Sequence, residues 1–376
     1  LLPSDHSDGS DLFVRKLTAA LSVLTALVLI CPPVQAVGTH ASCAVLMDAE
    51  SGRVLYEHDP HQPRLIASIT KLLTALVAVE EGPDLDQVVR VKREWLGSEG
   101  SSIYLKEGEE ITLRGLLYGL ILQSGNDAAM AIACHTAGSA EAFVERMNAR
   151  AAQLGMKNSS FANPSGLNDD NHYSTAYDMA LLAQACLKNE TVADICATRS
   201  ITIGKRTFVN HNKLLTRYEG CVGMKTGFTE KAGRTLVSAA TREGQTLICV
   251  TLNDGDDWND HCKLLDYGFE TFPRETLCQK GEVLGSVAVE GSLIPTVAAV
   301  TAEGAGYPLR AGEKLTMEVE LDRSIQAPFE AGAVLGEAVW KKDGEIVARV
   351  ALEAQSGAGL DAREPLSWWR RLWGAA

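Results

Sequence analysis

The 376-residue sequence has no excess of positive charge: 48 acidic side chains face 35 lysines and arginines, for a formal net charge of -13. With no basic stripe to offset that balance, nucleic acid is argued against as a partner, since phosphate neutralisation dominates such binding. There is no C-x-x-C pair, and the spacings of the nine cysteines fit no zinc pattern. His58 and His61 stand in a proline-flanked loop, and residues 254–260 are acidic without the pattern of a calcium loop. No metal and no cofactor are therefore expected. There is no internal repeat, and the apolar run at residues 17–30 is short for a membrane span.

What is there divides into parts. Residues 1–36 read as a signal peptide: Arg15 and Lys16 precede the apolar run, and Val34, Gln35 and Ala36 form a small-residue cleavage site. The rest, 46% hydrophobic and 22% charged over the whole chain, has the composition of a globular protein long enough for a large core and a smaller module. Cys134, Cys186 and Cys249 lie inside apolar runs, where a buried reduced thiol is the commoner state, although a disulfide remains open. Cys221 reads as a packed strand cysteine, with a modifiable thiol as the alternative.

Residues 42–48 and 53–57 are strand-like and joined by a turn, and helical spacing follows over 66–80. Further helices are predicted over 113–122, 127–136 and 140–154, and from a Thr175-x-x-Asp178 cap to residue 187. Strands return at 234–241 and 245–252 around Arg242-Glu243-Gly244, and a helix over 258–272 closes the unit. Strands, then helices, then strands again imply one sheet covered by helices, an α+β (α/β) fold. From residue 273 short β-rich segments at 283–289, 315–321, 333–341 and 345–351 predict a small all-β module. Residues 355–363 read as a linker ahead of a tryptophan- and arginine-rich tail.

Three short motifs carry the chemistry. Ser68-Ile69-Thr70-Lys71 puts a hydroxyl and an amine three positions apart at a helix start, on one face and within hydrogen-bonding reach. A serine hydroxyl is a poor nucleophile at neutral pH, and a lysine can take its proton only if burial or a neighbouring cation lowers the amine pKa. Ser124-Gly125-Asn126 sits on the break between two helices and can aim a second hydroxyl and an amide at the same cleft. Lys225-Thr226-Gly227 lies just before the strand pair that begins at Arg234.

Together with Leu65 to Lys71, Leu122 to Asp127, Asn163-Pro164-Ser165-Gly166-Leu167, His172 to Ala180 and Gly223 to Thr229, these motifs make the chain resemble the low-molecular-mass penicillin-binding proteins, the D-alanyl-D-alanine carboxypeptidases. The resemblance covers roughly residues 38 to 274. It implies a β-lactamase/transpeptidase-like catalytic domain over 37–274, a small C-terminal β-sandwich domain over 275–354, and a linker with an amphipathic membrane-anchor helix over 355–376. It implies further that Ser68 attacks the D-Ala-D-Ala carbonyl, Lys71 receives its proton and Ser124 passes a proton to the leaving amine. Asn126 would hold the substrate amide, and Lys225, Thr226 and Gly227 would form the binding strand, with Lys225 and Thr226 on the terminal carboxylate. Backbone N–H groups of Ser68 and Phe228 would form the oxyanion hole. The partners implied are a peptidoglycan stem peptide, β-lactams as inhibitors and a membrane surface reached by the tail, with the protein exported to the outer face of the cytoplasmic membrane or secreted. A β-lactamase is disfavoured by the lack of an E-x-x-L-N loop, an endopeptidase or transpeptidase would use the same chemistry, and a non-catalytic penicillin-binding wall protein would bind without turnover.

Overall fold

The computed structural model describes residues 37–361; the leader over 1–36 and the tail helix expected beyond 361 lie outside them. The larger, N-terminal part is built on a five-stranded antiparallel sheet of β1 (Cys43–Asp48), β2 (Val54–His58), β3 (Cys221–Thr229), β4 (Gly233–Arg242) and β5 (Gln245–Leu252), in the order β2-β1-β5-β4-β3. Its two faces separate by residue parity, as side chains on a strand must. Cys43, Val45 and Met47 join the large helical core, whereas Leu46 and Leu247 lie against Gly268 of the closing helix. The β4–β5 turn pairs Arg242 with Gln245, and both residues between them, Glu243 and Gly244, have positive φ, the demand of a two-residue hairpin turn.

The helices are α1 (Lys71–Glu81), α2 (Leu113–Leu122), α3 (Asn126–Ala137), α4 (Ala140–Gln153), α5 (Ala176–Lys188), α6 (Glu190–Ala197) and α7 (Asp257–Thr271), with one further helical turn at Leu214–Arg217. The Thr175 hydroxyl accepts from the Asp178 N–H, the cap predicted for α5. α1 starts later than its periodicity suggests, because a 3-10 turn at Ala67–Thr70 precedes it. The three-residue ladder between Val88–Arg90 and Glu110–Thr112 and the hairpin Ser200–Ile203 with Arg206–Val209 are additions to the sequence reading.

From residue 274 to 361 the described chain is β-rich, with no helix. Six strands, Val283–Glu290, Thr296–Thr301, Thr316–Leu321, Ser324–Gln326, Val334–Lys342 and Glu345–Ala354, form one sheet around Val287, Val297, Ala299, Leu335, Ala338, Trp340 and Leu352. A separate ladder pairs Arg274–Cys278 with Ala305–Pro308. The start of the expected linker is part of this module: Gln355 N–H donates to Ala298 O, Ala358 bridges to Phe329, and Ala358 is buried in the module core. Small apolar residues such as Ala358 serve packing as well as they serve a linker, which is why composition misplaced the boundary.

Candidate active site

The site begins at a strained corner. Ala67 is a buried non-glycine residue with φ of 50°, in the left-handed region, and it presents Ser68 at the start of the 3-10 turn. Two glycines let neighbouring segments close on it. A Cβ on Gly166 would lie 2.0 Å from Ala67 O, and a Cβ on Gly227 would lie 2.9 Å from Ser68 N and 2.4 Å from Thr235 Oγ1. The edge strand β3 thereby runs against the backbone of Ser68, and the Thr235 hydroxyl donates to Ile66 O at 2.9 Å to hold it there.

Lys71 is the first residue of α1 and is wholly buried. Its Nζ meets three oxygens: Ser68 Oγ at 2.9 Å, Asn126 Oδ1 at 2.8 Å and Ser165 O at 2.5 Å. Asn126 is oriented by its Nδ2, which donates to the Glu99 carbonyl, so Oδ1 faces the amine. A charged amine donates to all three. A neutral one has two N–H bonds, and the two oxygens that can only accept, those of Asn126 and Ser165, take both. The lone pair is then left facing the Ser68 hydroxyl, the arrangement a general base requires. Burial pushes the Lys71 amine well below the ordinary lysine value of 10.5, and the nearby Lys225 charge adds to that shift.

Ser68, Ser101, Ser124, Thr226, Gly227 and Phe228 line one cleft of about 290 Å³, so the three sequence motifs converge in space. Ser124 has φ of 59° and sits between α2 and α3, as expected for a hydroxyl on a helix break. Two of the residues expected to bind substrate are already engaged within the protein. Asn126 is buried and both its polar side-chain atoms are engaged within the protein, Oδ1 with Lys71 and Nδ2 with the Glu99 carbonyl. Lys225 lies within β3, 1% exposed, and does not line the cleft; Nζ donates to Thr226 O, and burial pushes the amine down to about 7.

The cations on the cleft wall are Lys213 and Arg234, beside His211. Arg234 is aimed by Asp257, which takes its Nη2 at 2.7 Å, and it lies over the Trp258 ring, 5.6 Å from the centroid. Sequence reading passed over these residues, since none belongs to a local motif and only folding brings 211–213, 234 and 257–258 together. The Asp257 carboxylate at the first position of an acidic helix start, 23 residues from Arg234, was the available hint.

The eight described cysteines are free thiols, and Cys43, Cys186, Cys196, Cys249 and Cys278 are buried. Cys221 packs in β3, where burial pushes its thiol up to about 11. His40, Asp256 and Asp260 bring ligand-type atoms within 4.8 Å of one another, but Asp260 is already taken by His40 and Lys263. Among the described residues no helix is long and apolar enough to cross a membrane.

Comparison with known proteins finds relatives for both parts of the chain. A family model described as D-alanyl-D-alanine carboxypeptidase matches residues 32–256, and one described as the penicillin-binding protein 5 C-terminal domain matches residues 272–357. The chain is 34% identical over 330 residues to D-alanyl-D-alanine carboxypeptidase DacF of Bacillus subtilis, covering 84% of this chain and 85% of that one. Among solved structures it is similar to penicillin-binding protein 5 of Haemophilus influenzae, with a TM-score of 0.72, 30% identity and coverage of 88% of this chain and 99% of that one. It is also similar to the peptidoglycan synthesis regulatory factor (PBP3) of Streptococcus pneumoniae, with a TM-score of 0.77, 28% identity and coverage of 85% and 100%.

Proposed function

The chain belongs to the D-alanyl-D-alanine carboxypeptidase family and is a serine hydrolase of that type, and from that premise we propose how its residues divide the work. The observation that carries the assignment is the set of three oxygens around Lys71 Nζ, which commits a neutral amine's lone pair to Ser68. Ser68 Oγ attacks the carbonyl carbon of the penultimate D-alanine of a stem peptide while its proton passes to Lys71. Backbone N–H groups of Ser68 and Phe228 receive the developing oxyanion. The C–N bond then breaks, the leaving D-alanine takes a proton by way of Ser124, and water hydrolyses the acyl ester. β-Lactams acylate the same serine and inhibit.

The terminal carboxylate is bound by Thr226 and by the cationic wall of Arg234 and Lys213, with the buried Lys225 adding its charge from within the strand. An anion at that wall favours the protonated form of Lys225, so substrate binding is coupled to proton uptake there. Exposed Phe228 supplies its backbone to the oxyanion and its ring to substrate preference.

The catalytic domain spans 37–274 and the β-rich module begins at 275. Residues 1–36 direct export, and the tail over 365–373, with three tryptophans beside two arginines, holds the protein peripherally at the outer face of the cytoplasmic membrane. The test is release of D-alanine from a pentapeptide ending in D-Ala-D-Ala. Purified protein should release it, and Ser68→Ala should stop it; undiminished release by that variant ends the assignment.

A further inference from the structure

Two sequence blocks, Asn163 to Leu167 and His172 to Ala180, meet the corner that holds Ser68; the first gives Lys71 the Ser165 carbonyl, whereas His172 in the second has no part in the chemistry above. We propose that His172 is a positioning residue for acylation, acting through Thr70 on the Ala67–Ser68 peptide so that one hydrogen-bonded chain aims both the nucleophile and an oxyanion donor. The proposal rests on the reading of Ser68 as nucleophile.

The direction of the chain follows from its first member. The Ala162 N–H donates to His172 Nδ1 at 3.1 Å, and since a backbone N–H can only donate, Nδ1 must carry no proton. His172 is 1% exposed, and burial holds the ring neutral by pushing its pKa down to about 4. A neutral ring without a proton on Nδ1 has one on Nε2, which donates to Thr70 Oγ1 at 2.7 Å. The Thr70 hydroxyl, its lone pair occupied, donates its own hydrogen to Ala67 O at 2.9 Å. The Phe161 ring meets the imidazole edge-on, 5.6 Å between centroids, and fixes its plane.

The last oxygen in the chain is the one that matters. Ala67 C=O and Ser68 N–H belong to a single planar peptide and point in opposite directions, so fixing the oxygen fixes the N–H. Ser68 N is the atom that a Cβ on Gly227 would approach to 2.9 Å, so this N–H is already adjacent to the cleft strand. On the other side Gly166, with φ of 86°, closes over the same carbonyl, which its Cβ would meet at 2.0 Å. Ala67 in the left-handed region is a conformation that surroundings must impose, and Thr70 and Gly166 are the groups that touch its carbonyl. Neither His172 nor Thr70 lines the cleft.

The experiment is single-turnover acylation by a fluorescent penicillin, in the full chain, for wild type, Thr70→Val, Thr70→Ser and His172→Leu. Valine keeps the shape and removes the hydroxyl, whereas serine keeps the hydroxyl. Thr70→Val and His172→Leu should acylate Ser68 about 10- to 100-fold more slowly with non-covalent affinity unchanged, the size expected of a misplaced reacting group. Thr70→Ser should stay close to wild type, a rescue that a purely structural role would not produce as a rate effect. Nitrogen-15 NMR of wild type should find the His172 proton on Nε2. A folded Thr70→Val that acylates at the wild-type rate, or a proton on Nδ1, overturns the proposal; if Thr70→Val does not fold, the NMR result alone decides it. A wild type that forms no adduct on Ser68 would instead overturn the nucleophile assignment.

Discussion

An amine has three hydrogens to place when charged and two when neutral, and at Lys71 three oxygens meet it, two of which can only accept. Proton uptake therefore needs no rearrangement of partners. Because the base must be neutral, acylation should slow as pH falls below the Lys71 pKa and level off above it. We expect the midpoint, measured as acylation rate against pH in the free enzyme, well below 10.5, and higher in Lys225→Gln, which removes a repelling charge. Lys71→Ala should lower the rate by about 10²- to 10⁴-fold, the usual worth of a general base. Gly227→Val should block the approach of β3 to Ser68 N, lowering both acylation and, by roughly 1–3 kcal/mol of overpacking, stability in urea. At this scale Ser68, Lys71, Ser124 and the Lys225 strand were legible because each motif is local. Arg234 and Asp257 were not, since their pairing joins a strand to a helix start, and the depth of Lys225 was not, since lysine is rarely interior.

Most long helices were read close to their ranges, and several short elements were lost. α2 matches its predicted range because its ten residues carry a cap at Thr112 and an apolar face. The ladder between Val88–Arg90 and Glu110–Thr112 has only three residues a side, too few for alternation to register. α6 was missed although its signal was present: Asn189 caps it by accepting from Val192 N–H. Asn189→Ala should cost about 1 kcal/mol in urea unfolding and leave acylation unchanged. The start of α1 was misjudged for a physical reason, since Ala67 in the left-handed region breaks the helix that its neighbours' periodicity would have extended.

Across the molecule, the β-rich module is bolted to the catalytic part by a few side chains. Arg53, next to β2, donates to both oxygens of Glu313 at 2.7 and 2.8 Å and lies over the Phe272 and Tyr307 rings. The guanidinium pushes the Glu313 carboxyl down to about 2. Arg53→Ala should lower the unfolding temperature or split the transition, with D-alanine release per active molecule unchanged. Stability should also fall in acid. His172 and His261 are buried neutral, their pKa values pushed down to about 4 and about 3, so the unfolded chain takes up their protons first. Stability is then lost as pH falls from 6.5 toward those values, by about 3 kcal/mol for His172 alone, and His261→Gln should flatten the urea-midpoint slope over that window.

The most direct measurement is mass spectrometry of the penicillin-treated protein followed by peptide mapping. One covalent adduct per chain on the peptide containing Ser68, absent in Ser68→Ala, is the expected result. No adduct, or an adduct on any other residue, would contradict the assignment of Ser68 as nucleophile and Lys71 as its base.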